Sequence, residues 1–345
     1  MIIANFDFSS GKTFIIAEMS GNHNGDINIA KETIRAAKRT GADCIKLQTY
    51  TADTITLNVK SDMFKAQKGS HWDGQYLHDL YKQAHTPWEW HAELFECAKK
   101  GGIIIFSSPF DPTAVDLLEK LNAPAYKIAS YEITDIPLIE YVAKKGKPII
   151  LSTGIADADD IDLAIKTCRD AGNNDISILK CTSSYPSLPE DTNLTTMPEI
   201  AKRWNVMVGL SDHTMGIEAP VVAVALGARI IEKHFIISHD MGGVDSHFSL
   251  DEKEFKQMVN AVRVAEKMLG KCDLGMDAKK LANRELSRSL FIVEYMKAGD
   301  VLTEKNIRSV RPGQGLHPKH YTSILGKKVK VDLSAGTPMS LDFIQ

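Results

Sequence analysis

Two short segments of this 345-residue chain hold histidines suited to metal chemistry: Gly209-Leu-Ser-Asp-His213 and Glu232-Lys-His234-Phe235. Each histidine stands just past a β-rich run, and one helix-like stretch lies between them. Neutral imidazole suits a divalent ion with open coordination positions, which makes His213 and His234 candidate metal ligands. The plain alternative is that each histidine only caps a strand through ordinary hydrogen bonds. The runs before them, Val206-Met-Val-Gly-Leu and Ala228-Arg-Ile-Ile-Glu, read as buried strands. In parallel α/β folds, ligands gather beyond the carboxyl ends of such strands.

The elements that must position these residues alternate along the chain from Phe14 onward. Candidate strands are Phe14–Glu18, Cys44–Leu47, Ile103–Phe106, Ala125–Ile128, Pro148–Leu151, Ile176–Lys180, Val206–Gly209 and Arg229–Lys233. Apolar residues recur at three- and four-residue intervals in Ile29–Arg39, Trp88–Lys99, Thr113–Leu121, Asp159–Ala171, Ile217–Leu226 and Glu252–Leu269, which predicts helices there. Eight such βα units close a (β/α)8 TIM barrel, a fold of about 250 residues, so residues 1–270 are assigned to it. Residues 271–286 are polar and charged and read as a linker with helical character. Residues 287–345 carry Ser289-Leu-Phe-Ile-Val-Glu, Ile324-Leu-Gly-Lys-Lys-Val and Thr337-Pro-Met-Ser-Leu between turn signals, and are expected to form a compact module of short strands. A module of about 60 residues has little core of its own, so it is expected to lean on the barrel or on a second subunit. The long insertion from Thr51 to Pro87 follows the second strand and is a candidate substrate loop over the barrel mouth.

The residues at or just past each proposed strand end are polar throughout. They are Glu18, Asn22, His23 and Asn24; Lys46 and Gln48; Ser107 and Ser108; Lys127, Ser130 and Glu132; Ser152 and Thr153; Thr182, Ser183 and Tyr185; Ser211, Asp212 and His213; and His234. Lysines at such positions are rarely buried alone, and two ringed by hydroxyls make an anion site for phosphate or carboxylate. A salt bridge to Glu18 or Glu132 is the alternative for either lysine. A carboxylate here could position hydroxyls or act as a general base toward water. The implied chemistry joins an anionic substrate to a carbonyl compound with metal assistance.

Composition narrows the partners. Hydrophobic residues make up 43% and charged residues 25%, the balance of an ordinary soluble protein, and a net charge of −3 offers no basic excess for nucleic acid. No run of apolar residues is long enough for a membrane span and the amino terminus lacks a signal pattern, so a cytoplasmic location is expected. The five cysteines are scattered without a C-x-x-C pair and read as reduced thiols.

With these residues in hand, the chain resembles the sialic acid synthase family, whose members condense phosphoenolpyruvate with an amino sugar to give nine-carbon nonulosonic acids and phosphate. The resemblance rests on Ile16-Ala-Glu-Met-Ser-Gly-Asn-His-Asn-Gly25, Ile45-Lys-Leu-Gln48, Ser107-Ser-Pro-Phe110, Tyr126-Lys-Ile-Ala-Ser-Tyr-Glu132, Ser152-Thr-Gly154, Cys181-Thr-Ser-Ser-Tyr-Pro186, Gly209-Leu-Ser-Asp-His-Thr214 and Glu232-Lys-His-Phe235. The final module, with Arg308-Ser-Val-Arg-Pro-Gly-Gln-Gly315, looks like the family's antifreeze-like (SAF) domain.

The resemblance implies that His213 and His234 hold a divalent ion (Mn2+, Mg2+ or Co2+) that polarises the open-chain aldehyde. It implies that Lys46, Ser108, Lys127, Ser130, Ser152, Ser183 and Ser211 grip phosphoenolpyruvate. Glu18, Asn22, Gln48, Trp72, Tyr185 and Asp245 fall on the sugar side, and Glu132 is a candidate base for the attacking water. Arg311 falls where the antifreeze-like domain reaches the partner subunit's site, which implies a domain-swapped homodimer. Ser183 stands where sialic acid synthases commonly carry asparagine. Gly69-Ser-His-Trp-Asp-Gly74 and Ala84-His-Thr-Pro-Trp-Glu-Trp-His91 look like the pseudaminic acid synthase branch, whose sugar is 2,4-diacetamido-2,4,6-trideoxy-L-altrose. An apolar, Trp-bearing wall would suit the methyl group of a deoxy sugar, although Trp72, Trp88 and Trp90 could instead pack helix against barrel. The alternatives are an N-acetylneuraminate or legionaminate synthase, and a non-catalytic carbohydrate-binding protein on the same scaffold. Metal ligands beside an anion clamp argue against the last.

Overall fold

In a computed structural model that describes residues 1–66, 68–69 and 72–345, eight parallel strands close a barrel. In chain order these are β1 (Phe14–Glu18), β2 (Cys44–Thr49), β3 (Ile104–Pro109), β4 (Tyr126–Ile128), β5 (Ile149–Ser152), β6 (Ile176–Cys181), β7 (Met207–Asp212) and β8 (Ile230–His234). The barrel closes where β8 pairs with β1, Glu232 opposite Ile16 and His234 opposite Glu18. Each strand is followed by a helix: α1 (Ile27–Thr40), α2 (His91–Gly101), α3 (Pro112–Lys120), α4 (Ile136–Ala143), α5 (Ala158–Asp170), α6 (Thr196–Trp204), α7 (Glu218–Ala225) and α8 (Glu252–Leu269).

Side chains alternate across each strand, so one register is directed into the barrel and the next toward the helices. Ile15, Ala17, Ile45, Leu47, Tyr126, Ile128, Ile149 and Leu151 belong to the large core shared with the helices. Phe14, Ile16, Cys44, Phe106, Ala125, Ile150, Leu179 and Ile230 form a separate cluster inside the barrel, joined by Ile3 and Phe8. A two-strand hairpin, Ile2–Ile3 with Phe6–Asp7, precedes β1, and Phe6 and Phe8 stack on Phe14. The amino-terminal end of the barrel is therefore plugged with apolar groups. The same inward register changes character toward the carboxyl ends: Glu18, Lys46, Ser108, Lys127, Ser152, Ser211 and Glu232 are all buried there.

Helix starts follow from local chemistry. Asp26, Asp111, Asp135, Asp157 and Asp251 each cap a helix by accepting backbone N–H bonds. Two helices that the apolar periodicity does not predict, α4 and α6, are present. Ile136-Pro-Leu-Ile-Glu-Tyr-Val-Ala has little polar contrast around its axis, and Pro198 reads as a breaker although it sits in the first turn of α6, where a missing N–H is harmless. The insertion contains two short helices, Ala52–Ile55 and Leu77–Ala84. Part of the substrate loop expected there, Gln67, Ser70 and His71, lies outside the described residues.

Lys271–Gln345 forms a second compact unit. It contains helix Ala278–Arg284 and one antiparallel pair, β9 (Ser289–Ile292) with β10 (Ile307–Val310). The segment from Ile324 is not the strand expected of it: Ile324 closes a short helix and Gly326 turns the chain at φ 81°, leaving Val329 in a single bridge to Ile344. Leu290, Ile292, Met296, Leu302, Ile307, Ile324, Val329, Leu333, Met339 and Ile344 nonetheless give the unit a core of its own. Among the described residues, no helix is long and apolar enough to cross a membrane.

Barrel closure places one strict demand on the sequence. A Cβ on Gly209 would stand 2.4 Å from the Ile230 carbonyl oxygen and 2.6 Å from Leu179 Cδ2, so Gly209→Ala must displace β8 backbone. The expected loss is about 1–3 kcal/mol or more, read by denaturant unfolding; wild-type stability would refute this packing.

Candidate active site

At the carboxyl end of the barrel, two lysines and two glutamates meet below a cavity of about 820 Å³. Lys46 Nζ lies 2.7 Å from Glu18 Oε2, 3.0 Å from Ser108 Oγ and 3.5 Å from Glu232 Oε1. Lys127 Nζ lies 2.6 Å from Ser152 Oγ and 3.7 Å from the same Glu232 oxygen. All four charged side chains are almost fully buried, so each depends on the others for compensation. The salt bridge to Glu18, the alternative to an anion site for either lysine, is present at Lys46. Glu232, which the sequence reading placed in a strand beside His234 without assigning it a role, joins both lysines. The signal that could have found it was its spacing: two residues before His234 on one strand, it shares that histidine's inward register.

The charges settle accordingly. Burial would lift the Glu232 carboxyl, but Lys127 and Lys46 hold it below its ordinary range. For Glu18, burial wins over Lys46, with Glu232 adding to the rise. Burial lowers Lys127 despite Glu232. For Lys46 burial opposes the charge and the two glutamates outweigh it, so the ammonium is stabilised.

The two histidines stand across the mouth, ring centroids 5.4 Å apart. His213 Nδ1 is 2.9 Å from the Thr182 carbonyl, which only accepts, so Nδ1 carries a proton and Nε2 is the atom left to bind an ion; burial lowers the ring, but Cys181 and the Thr182 carbonyl outweigh it and hold it above the ordinary imidazole range. His234 is held well below the ordinary imidazole range by burial and by His213, Lys46, Lys233 and Lys127, so it is neutral; its buried Nδ1 has no hydrogen-bond partner among the described residues. A neutral ring with a spare lone pair beside a tautomer fixed through a backbone carbonyl is the donor chemistry a divalent ion takes, and the pair fits one. Burial would raise the nearby Cys181 thiol, but His213 and Ser130 pull it down to about 7.

Aromatic rings line the remaining wall. Tyr185 packs on His213 at 4.4 Å and Phe248 on His234 at 4.7 Å, with Trp72 6.1 Å from Tyr185. Trp72 Nε1 donates to the Val244 carbonyl at 3.2 Å, joining the insertion to the loop after β8. Trp72, Tyr185, Gln48, Ser130, Glu132, Ser183, His234 and Asp245 all line the cavity. Phe248 does so too and was not anticipated. Gln48 Nε2 donates to Glu18 Oε1 and Ser20 Oγ, both at 3.0 Å. Asp245 is buried, which raises its carboxyl, with Ser20 and Gly21 opposing. Glu132 is pushed up to about 7 by burial, against Lys127.

Other expected residues sit apart. Asn22 spends its amide donors on the Phe235 carbonyl and the Ser249 hydroxyl, 3.0 and 2.9 Å away, and is not part of the cavity lining. Ser211 Oγ lies 3.5 Å from Glu232 Oε1, below the mouth. Trp90 packs against the helix-side core. Arg311 belongs to the second unit.

The fold and site together are those of a barrel enzyme with a buried lysine–glutamate cluster beside a pair of imidazoles. The chain belongs to the NeuB family, whose family model matches residues 33–273, and residues 287–345 match the SAF domain. It is 50% identical over 332 residues to a pseudaminic acid synthase of Helicobacter pylori, covering 96% of this chain and 97% of that one. An N,N'-diacetyllegionaminic acid synthase of Legionella pneumophila is 36% identical over 342 residues, covering 98% and 96%. Among solved structures, the N-acetylneuraminic acid (sialic acid) synthetase of Leptospira borgpetersenii, crystallised with citrate, superposes with a TM-score of 0.72 at 31% identity, covering 82% of this chain and 94% of that one.

The charge cluster has a measurable consequence. Glu232→Gln leaves two buried ammonium groups short of a partner, and the expected cost is about 3–5 kcal/mol in denaturant unfolding. Added inorganic phosphate should restore more stability to this variant than to the wild type, because the anion replaces the missing carboxylate. Equal stabilisation of both proteins would show that Glu232 does not occupy the anion's place.

Proposed function

We propose that this protein carries out the pseudaminic acid synthase reaction, joining phosphoenolpyruvate to 2,4-diacetamido-2,4,6-trideoxy-L-altrose with water and releasing phosphate. The observation that carries the choice of sugar is the ordering of relatives: half of all aligned positions match a pseudaminic acid synthase across nearly the whole chain, against 36% for a legionaminic acid synthase. The apolar wall of Trp72, Tyr185 and Phe248 supports the same choice, since a deoxy sugar offers a methyl group where other hexosamines carry a hydroxyl.

In this reading Lys46 and Lys127 receive the phosphate and carboxylate of phosphoenolpyruvate, with Ser108, Ser130, Ser152 and Ser183 as hydroxyl partners and Ser211 acting through Glu232. Glu18, Gln48 and Asp245 take the sugar hydroxyls and amides. His213 and His234 would hold a divalent ion, which when bound supplies Lewis-acid polarisation of the sugar aldehyde. The enol π pair of phosphoenolpyruvate forms the bond from its methylene carbon to the aldehyde carbon as the aldehyde π bond opens; its oxygen takes a proton from water to become a hydroxyl and C2 is left cationic. A water molecule adds at C2 and gives one proton to Glu132; the C2–O bond to phosphate then breaks with its electron pair leaving on phosphate, and loss of the second proton of the added water to solvent leaves the keto group.

A homodimer fits a separate feature. Leu274, Met276, Leu281 and Leu286 are exposed by 98, 48, 55 and 65% within one short segment of the second unit, a concentration of apolar surface that a second subunit would cover. Arg311 would then serve the partner's site. A cytoplasmic location matches the use of phosphoenolpyruvate.

Incubation with phosphoenolpyruvate, Mn2+ and each sugar tests the reaction: phosphate release with the altrose sugar is expected, and release only with N-acetylmannosamine would reassign the substrate. For the base, the sign is set by its protonation: Glu132 must be ionised to accept a proton, so the rate should rise with pH through an apparent pKa of about 7, and Glu132→Gln should lose that acidic limb together with most turnover. An unchanged limb in that variant removes Glu132 from the role. Light scattering should give twice the chain mass, shifting to the monomer in Leu281→Glu; a wild-type monomer would exclude the shared site.

A further inference from the structure

Gly154 has no backbone reason to be glycine. It lies two residues beyond β5, and it is absent from the residues with positive φ, so alanine could adopt its conformation. What makes it unusual is space. A Cβ there would stand 2.0 Å from Ser183 Oγ, 2.7 Å from Ser130 Oγ and 3.1 Å from Ser130 Cβ. Contacts that short do not occur, and the nearest atoms are hydroxyls that can rotate away rather than backbone that cannot.

The surroundings give that space a direction. Ser130 follows β4 and Ser183 follows β6, so the two hydroxyls come from the strands on either side of β5 and meet over its end. Thr153, next to Gly154, is anchored to β6 through its N–H and its hydroxyl, 3.2 and 3.3 Å from the Leu179 carbonyl. The Gly154 N–H donates to Ser130 Oγ at 3.0 Å. That bond uses one acceptor position of the Ser130 oxygen, whose proton is directed to the Cys181 thiol and can turn to a bound anion instead. Ser152, two residues back, accepts from Lys127 at 2.6 Å. The end of β5 thus sits in the middle of the hydroxyl ring and contributes no side chain at position 154.

We propose that Gly154 is a positioning residue for the anion pocket: by lacking a side chain it lets the Ser130 and Ser183 hydroxyls converge on the phosphate of the bound substrate, and its N–H orients the first of them. This rests on the phosphoenolpyruvate reading given above. A methyl group at 154 turns both hydroxyls out of the pocket while leaving β5, its neighbours and the lysine pair in place. The effect of Gly154→Ala therefore falls on anion binding and spares folding.

The test is calorimetric titration of phosphoenolpyruvate into wild type, Gly154→Ala, Ser183→Ala and the double variant, with melting temperatures and separate KM values for the two substrates. Gly154→Ala removes two hydrogen bonds to a charged group, so it should weaken phosphoenolpyruvate binding roughly a hundred- to ten-thousandfold. The melting temperature and the KM for the sugar should be unchanged. Because Ser183 Oγ is the first atom the methyl group meets, adding Ser183→Ala to Gly154→Ala should cost less than it does in the wild type. Unaltered phosphoenolpyruvate affinity in Gly154→Ala, equal loss for both substrates, or strict additivity with Ser183→Ala would overturn the proposal. Failure of the underlying reading looks different: the wild type itself would show no saturable phosphoenolpyruvate binding, or Lys127→Met would leave that binding intact.

Discussion

The structure turns on two positive and two negative charges enclosed in the upper layer of one barrel. Lys46, Lys127, Glu18 and Glu232 are removed from water, and no pair of them is separable from the rest: Glu232 lies 3.5 and 3.7 Å from the two ammonium groups, and Glu18 is 2.7 Å from one. Charges buried this deeply destabilise a fold unless they compensate one another. A core of aliphatic residues would have filled the same layer at lower cost. Keeping the charges leaves a polar layer inside the barrel in which the two carboxylates outweigh burial at Lys46 but not at Lys127.

Strand alternation explains how one register can be both core and site. Reading inward along β1, Phe14 and Ile16 lead to Glu18; along β2, Cys44 leads to Lys46 and Gln48; along β8, Ile230 leads to Glu232 and His234. The apolar half is closed beneath by Ile3 and Phe8. The polar half faces the cavity. Charges at the mouth are therefore carried on strands, with far less freedom than loop residues have, and their positions are set by the backbone ladder.

This arrangement also accounts for what was legible in the sequence. Each barrel strand was visible as a short β-branched run, and the polar residue ending it was visible because polarity is unusual there. Six of the strands extend one to three residues further than expected, as in β2 through Thr49 and β7 through Asp212, because the ladder continues under polar residues. Glu232 escaped notice for that reason: it occupies a strand position that periodicity assigns to core. The helices α4 and α6 were obscured by uniform apolarity in one and an early proline in the other. In the second unit, pairing runs mostly through isolated bridges, which depend on contacts distant in sequence and leave no period to read.

Glu232 and Glu132 show why site roles cannot be read from residue type alone. Both are carboxylates around the same mouth, and both lose hydration. Glu232 has two lysines within reach, which outweigh burial and keep it ionised. Lys127 also acts on Glu132, but there burial prevails and the carboxyl rises to about 7. A carboxylate fixed in the charged form can hold lysines but is a poor proton acceptor; one poised near neutrality can take a proton and give it back. The difference between these two carboxylates is a balance struck at each: the ammonium groups outweigh burial at Glu232, and burial outweighs them at Glu132. The same two lysines thus act on both groups and leave one ionised and the other pushed up to about 7.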